Sequence, residues 1–417
     1  MAGRPLILVE GANIIDCAVA GRLVTGGALL IEGEEIRAVG PIDDVLGELG
    51  NADVERIDAK GSYLIPGLWD CHIHLGAAVI PHDQAFAHEP LGHQMLRSIR
   101  KAQDNLRCGI TSLRSLGDPH AHDIVLRDAV DAGEIEGPRI FASGDVSWSQ
   151  HAAGELEFRR CVRQAIQDGV DQVKLLSSGG IPWRSDTIGY GLHTKEEIAA
   201  AAEEAHSWGK PLVVHAMGDD TVIAAAEAGA DTVEHGFVMT ERAVAAMGEA
   251  GTIYCPNLTV TVAWDPAKLA AKGYPSWFVR NAAEAAGAHH AAFREAVRHG
   301  VTVIAGVDDL PEGRAPVGIE MHDNQVALIS ELELMEANGL TRGEALQAAT
   351  RNAALSVRAG DRLGTLEPGK LADFVMLEHS PLEDLGALAS VERVWKGGKE
   401  IRLVPGLEAG WTGGGIP

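Results

Sequence analysis

The 417-residue chain carries 35 Lys+Arg against 59 Asp+Glu, a formal charge of −24, which repels phosphate backbones and anionic lipid and argues against nucleic acid or a membrane as partner. Hydrophobic residues at 46% and charged residues at 23% call for a packed core throughout, and the length accommodates a full (β/α)8 barrel with a smaller unit beside it. The first ten residues are too short in their apolar run for a secretion signal and later apolar stretches are interrupted well before membrane-spanning length, so a cytoplasmic protein is expected.

In chain order, residues 1–62 read as short extended segments broken by glycine, such as Leu6-Ile-Leu-Val9 and Gly27-Ala-Leu-Leu-Ile31, and predict a small β unit. From there apolar strand-like runs alternate with Ala/Glu/Arg-rich helical periods, the pattern of parallel strands covered by helices. Eight strands are predicted, centred on Tyr63–Leu68, Ile110–Leu113, Arg139–Ala142, Gln172–Leu176, Pro211–His215, Thr232–Glu234, Thr252–Cys255 and Val301–Ala305. Between them, the segment Thr194–Trp208 opens with a Thr cap and a glutamate three residues later, as a helix start should. After a helix over Thr341–Thr350, strand signals return in Ala372–Leu377 and Ser390–Trp395. The fold expected is therefore α/β: a (β/α)8 TIM barrel over residues 63–356, with a small composite β-sandwich domain made from residues 1–62 and 357–417, because neither terminal piece alone has enough strands to bury a face.

Polar residues at the C-terminal ends of barrel strands are where such an architecture does chemistry. Strand one ends in His72-Ile-His74, whose i, i+2 spacing puts both imidazoles on one side of an extended chain. Strand four carries Lys174, strand five ends at His215, strand six at His235 and strand eight at Asp308. Neutral imidazole and carboxylate suit a zinc-like divalent ion, and four histidines with an aspartate exceed the three protein ligands of a single catalytic zinc, so two metals fit better than one. The five cysteines are scattered, odd in number and free of any C-x-x-C pair, which argues against a disulfide framework and a thiolate site. His289, His290 and His299 are assigned to helix surface or loop.

Leu64-Ile-Pro-Gly-Leu-Trp-Asp-Cys-His-Ile-His74 resembles the strand-one signature of the amidohydrolase superfamily. Gln172–Gly180, Val214-His-Ala216, Val233-Glu-His-Gly236, Ala305-Gly-Val-Asp308, Ala348–Ala354 and Gly364–Phe374 follow in order and together most resemble the imidazolonepropionase-like branch that contains prolidase-type dipeptidases. The resemblance implies that His72, His74 and Asp308 hold a more buried metal and His215 and His235 a more exposed one. It also implies that Lys174 bridges them as an N-carboxylated side chain. A free lysine is a cation that two metal ions would repel, whereas its carbamate is an anion they would hold.

By the same resemblance the metal pair, expected to be zinc, would activate a water, and Asp308 would accept its proton and hand it to the departing nitrogen. His151 aligns with a histidine that contacts the substrate carbonyl in similar dipeptidases, although its flanks differ from the usual Gly-Gly-His-Gly-Asp. Met217 stands where relatives usually show His or Tyr. Trp183 and Arg184 would cover the pocket and pair with a substrate carboxylate, and His322 lies in sequence near the eighth-strand loop and would line it. The expected activity is hydrolysis of a small-molecule amide, a dipeptide or N-acyl amino acid first, by a homo-oligomer. Xenobiotic amides, carbamates, ureas and cyclic amides remain open. The rivals are a one-metal deaminase or deacetylase, and a non-catalytic scaffold.

Overall fold

The computed structural model describes residues 5–50, 52–76, 90–184, 187–308 and 324–402. Its strands are β1 (Leu6–Ile14), β2 (Val24–Glu32), β3 (Glu35–Pro41), β4 (Glu55–Asp58), β5 (Tyr63–Pro66), β6 (Leu68–Ile73), β7 (Ile110–Ser115), β8 (Arg139–Phe141), β9 (Val173–Leu176), β10 (Leu212–Gly218), β11 (Thr232–Val238), β12 (Ile253–Cys255), β13 (Phe374–Leu377), β14 (Val391–Lys396) and β15 (Lys399–Ile401).

Both ends of the chain build one eight-stranded sheet, in the order β15-β14-β13-β5-β1-β2-β3 with β4 alongside β1. Alternation along β1 and β2 explains why this sheet is buried on two faces. Leu8, Ala28 and Leu30 pack with Val45 and Leu49 of the helix Ile42–Leu49, while Val9, Leu29 and Ile31 join Phe374 and Trp395 on the other side. The Phe374 and Trp395 rings stack there at 4.4 Å.

The remaining strands are parallel and form two sheets, β6-β7-β8 and β9-β10-β11-β12, with helices in the connections, so the fold is α/β with parallel sheets. Backbone hydrogen bonds also run between these segments. The Asp171 N–H donates to Ala142 O (2.8 Å), Ile304 to Tyr254 O (2.9 Å) and Cys71 to Ala305 O (2.9 Å). The expected eighth strand is a single parallel bridge, Tyr254 with Val303. The helix Lys195–Ser207 begins as its sequence predicts, with a Thr194/Glu197 capping box, which contributes about 1 kcal/mol. It buries Ile198, Ala201, Ala202 and Ala205 along one face.

One predicted strand is corrected. Tyr63–Leu68 is not a single element: Tyr63–Pro66 pairs with β13 in the terminal sheet, and the strand that pairs with β7 starts at Leu68. The chain changes sheets at Gly67, where any Cβ would collide with the Thr111 side chain. Both halves are extended and apolar, so periodicity alone cannot separate them. The Pro66-Gly67 pair was the local sign of a break. Among the described residues no helix is long and apolar enough to cross a membrane.

Candidate active site

Five ligand-type residues lie close together: His72 on β6, His74 just after it, His215 on β10, His235 on β11 and Asp308 after Val307, with Lys174 of β9 beside them. Strands five and six do not end at His215 and His235 as expected but run on to Gly218 and Val238. His72 and His235 lie with ring centroids 4.9 Å apart, His215 and His235 4.6 Å, and His72 and His74 5.4 Å. The Asp308 Oδ1 is 3.6 Å from His72 Nε2 and 3.5 Å from His74 Nε2. These separations exceed those of good hydrogen bonds, and among the described residues Asp308 Oδ1, His235 Nδ1 and Lys174 Nζ are buried without a hydrogen-bond partner. Donor atoms of His72, His235 and Asp308 all lie within 4.8 Å of one another. Leaving buried polar atoms unpaired costs about 1–3 kcal/mol each, and a shared cation would satisfy them, so this donor set fits a divalent metal.

Three of the imidazoles are oriented by groups behind them. The His72 Nδ1–H donates to Glu234 Oε2 (2.8 Å), the His74 Nδ1–H to Gly117 O (2.5 Å) and the His215 Nε2–H to Gly179 O (3.0 Å). Each bond fixes a tautomer and leaves the other ring nitrogen with a free lone pair, the form a metal takes. Burial pushes His74 down to about 4 and His215 to about 3, and holds His72 and His235 well below the ordinary imidazole value. The rings are therefore neutral at physiological pH. Burial lowers the Lys174 amine to about 8 against the opposing pull of Glu234. It raises Asp308 to about 7 against that of Lys174.

The backbone is held in unusual conformations at two of these residues. His235 has φ +76° and Asp308 φ +51°, positions that cost roughly 1–3 kcal/mol and persist only where neighbours enforce them. The Tyr254 hydroxyl donates to His235 O (2.7 Å), and the Asp308 N–H donates to His72 O (2.7 Å). Asp70 Oδ1 accepts from the N–H groups of both His72 and Val307 (3.1 Å each), tying β6 to the segment that carries Asp308. That approach requires Gly306, where a Cβ would sit 2.7 Å from both Cys255 Sγ and His72 Cβ.

The other residues singled out in the sequence are placed less centrally. The Trp183 ring lies near-parallel to His215 at 6.2 Å, and its carbonyl accepts from Asn281 Nδ2 (3.0 Å). Met217 is buried in an apolar cluster with Ile181, Ile188 and Phe237. His151 and Arg184 are exposed, and among the described residues no hydrogen bond or ion pair links either side chain to the histidines. His322 lies outside the described residues. His289 is not a surface residue: it is fully buried, with Nδ1 3.1 Å from Thr261 Oγ1 and its ring 4.4 Å from Phe237.

The sequence pattern does not single out Glu234 and Arg114, whose side chains are both fully buried. Arg114 Nη2 donates to Glu234 Oε1 (2.6 Å), Nη1 to Thr232 Oγ1 (3.1 Å) and Nε to Cys71 O (2.6 Å). Burial would raise the Glu234 carboxyl, but Arg114 and then Lys174 hold it below the usual range. The available signal was a charge inside each of two apolar strands.

A stability consequence follows from the neutral rings. Unfolding restores histidines to about 6.5, so below that pH the unfolded metal-free chain takes up protons that the folded one excludes, and stability falls with pH. Asp308 and Glu331, both raised to about 7 by burial, and Asp123, raised likewise, oppose this, but they are three groups against eight histidines held below their ordinary value. With each net proton worth about 1.4 kcal/mol per pH unit, chelator-treated protein should show a urea midpoint clearly lower at pH 5 than at pH 7, corresponding to several kcal/mol. Equal midpoints would contradict burial of neutral imidazoles.

Parallel strands that bring imidazole, amine and carboxylate groups to one place are the arrangement on which metal-dependent α/β hydrolases are built. The amidohydrolase family model matches residues 63–401, and the chain belongs to that family. It is a hydrolase acting on carbon–nitrogen bonds. The ochratoxinase of Aspergillus niger is 29% identical over 455 residues, covering 95% of this chain and 88% of that protein. The imidazolonepropionase of Solibacter usitatus is 25% identical, covering 87% of each. The crystal structure of a Xaa-Pro dipeptidase with methionine bound in its active site matches with a TM-score of 0.82 and 27% identity, covering 95% of this chain and 99% of that one.

Proposed function

We propose that the protein is a binuclear amidohydrolase that cleaves the C–N bond of a dipeptide or N-acyl amino acid, on an eight-stranded barrel flanked by a composite β domain. His72, His74 and Asp308 would hold one zinc ion, His215 and His235 the other, with Lys174 between them as its carbamate. The observation that carries this reading is the gathering of these side chains with Lys174 Nζ, His235 Nδ1 and Asp308 Oδ1 buried and, among the described residues, unpaired. Similarity to a Xaa-Pro dipeptidase over nearly the whole chain supports the substrate class. Bound at this site, the ions would ionise a water near neutral pH and polarise the substrate carbonyl.

The chain's own residues do the rest. Asp308 takes the proton of the attacking water and passes it to the leaving nitrogen, which otherwise departs poorly. Trp183 shields the His215 side of the site, and Arg184 pairs with the substrate carboxylate. With Met217 in place of a polar residue, that position contributes apolar contact only. His151 acts on the substrate carbonyl in this reading, and it does so from an exposed loop.

The test is a hydrolysis screen of zinc-loaded and chelator-treated protein over dipeptides, N-acyl amino acids and aryl carbamates, with metal content measured in parallel. About two metals per chain and metal-dependent release of amino acid are expected. One metal per chain with an active Lys174→Ala variant would move the protein to the one-metal deaminases, and absence of metal-stimulated turnover would leave a scaffold.

A further inference from the structure

We infer that Glu234 and Arg114 are positioning residues that lock His72 in the one tautomer able to bind metal. The inference rests on the metal assignment above, but it concerns groups that touch neither substrate nor the reacting water.

The geometry is a chain of three buried side chains from three strands. Glu234 on β11 presents Oε2 to His72 Nδ1 on β6 (2.8 Å) and Oε1 to Arg114 Nη2 on β7 (2.6 Å). Thr232 Oγ1 also donates to Oε1 (3.0 Å). A carboxylate only accepts, so the proton on His72 must sit on Nδ1, and Nε2, the nitrogen facing Asp308 at 3.6 Å, keeps its lone pair. Arg114 prevents Glu234 from turning away. Its other donors hold the Cys71 carbonyl, one residue before His72, and Thr232 at the start of the strand that carries His235. One guanidinium thus spans the strands that supply ligands to both metal positions. His74 and His215 are each backed by a main-chain carbonyl instead, which no substitution removes, so of the three backed imidazoles His72 is the one whose tautomer depends on a side chain.

Glu234→Gln keeps the volume but offers one acceptor and one NH2 where two acceptors are needed. With Arg114 present, the amide oxygen stays on the guanidinium and the NH2 faces His72 Nδ1. The ring then prefers its Nε2–H form and turns a proton toward the metal site. In the double variant Arg114→Met with Glu234→Gln, the oxygen is free to face His72 and the NH2 to face Thr232 Oγ1, so the productive tautomer returns.

The experiment uses the full-length protein with 15N-labelled histidine, read by NMR in its metal-free form, and zinc retention against graded chelator. Expected are an Nδ1–H His72 in the wild type, an Nε2–H His72 in Glu234→Gln with zinc affinity about 10–100-fold lower, and recovery of much of that affinity in the double variant. If the single variant fails to fold, the wild-type tautomer still decides, since an Nε2–H His72 overturns the inference. So does a folded Glu234→Gln that keeps both tautomer and affinity, or a double variant binding no better than the single one. Wild-type protein with the Nδ1–H ring but no zinc binding at all would leave the lock intact and sink the metal assignment instead.

Discussion

Lys174→Ala should lose both metal retention and turnover, by about 10²–10⁴-fold. Lys174 is buried on β9 and, among the described residues, its Nζ has no hydrogen-bond partner, so an ammonium there is opposed by burial and favoured only through space, by Glu234 and Asp308. As a carbamate it would instead be an anion between two cations. Removing one partner of such a buried arrangement costs about 3–5 kcal/mol, and at about 1.4 kcal/mol per decade that gives the stated range. Lys174→Arg should fare no better, since a guanidinium stays charged and cannot take up carbon dioxide.

The same residue carries a pH signature. Only the neutral amine attacks carbon dioxide, and burial has brought Lys174 from 10.5 to about 8. At pH 8 half of it is neutral, against roughly one part in 300 for an ordinary lysine. Carboxylation of the metal-free protein, followed by NMR with 13C-bicarbonate, should therefore rise between pH 7 and 9 rather than above 10. A Lys174→Ala variant with near-normal metal content and rate would contradict the bridging role.

The residues that gather here were readable as a group because each is tied to a local pattern: a strand gives its residues a face, and parallel strands bring like faces together. His72, His74, Lys174, His215 and His235 needed only the strand positions. What could not be read is what depends on partners far away in the chain. Arg114 and Glu234 are 120 residues apart, and either alone looks like a charge awaiting solvent. The β5–β13 pairing joins residues more than 300 apart, so Tyr63–Pro66 was attributed to the wrong sheet. His289 lies on the helix Ser276–Arg298, which buries residues from Phe278 to Ala296 against the strands and its neighbours. An Ala-rich helix with charges only at intervals does not announce which of its histidines faces inward.

Asp308→Asn is expected to lower kcat by about 10²–10⁴-fold, the usual contribution of a general acid–base group, with a smaller change in KM. Asparagine is the informative replacement because Asp308 sits at φ +51°, a region that Asn tolerates better than almost any residue with a side chain. The backbone bond to His72 O and the volume of the side chain are retained, so the variant should fold and still offer an oxygen to the metal. What it loses is the ability to hold a proton. Burial raises Asp308 to about 7 in the metal-free protein, and nearby cations favour the carboxylate and so move it lower. Since the carboxylate must accept the proton, wild-type kcat/KM should climb with pH through an acid limb lying below 7. In Asp308→Asn that limb should flatten while metal content stays near the wild-type value. An Asn variant that loses its metals would make Asp308 chiefly a ligand, and one that keeps both its metals and its acid limb would require the proton to be carried by another group.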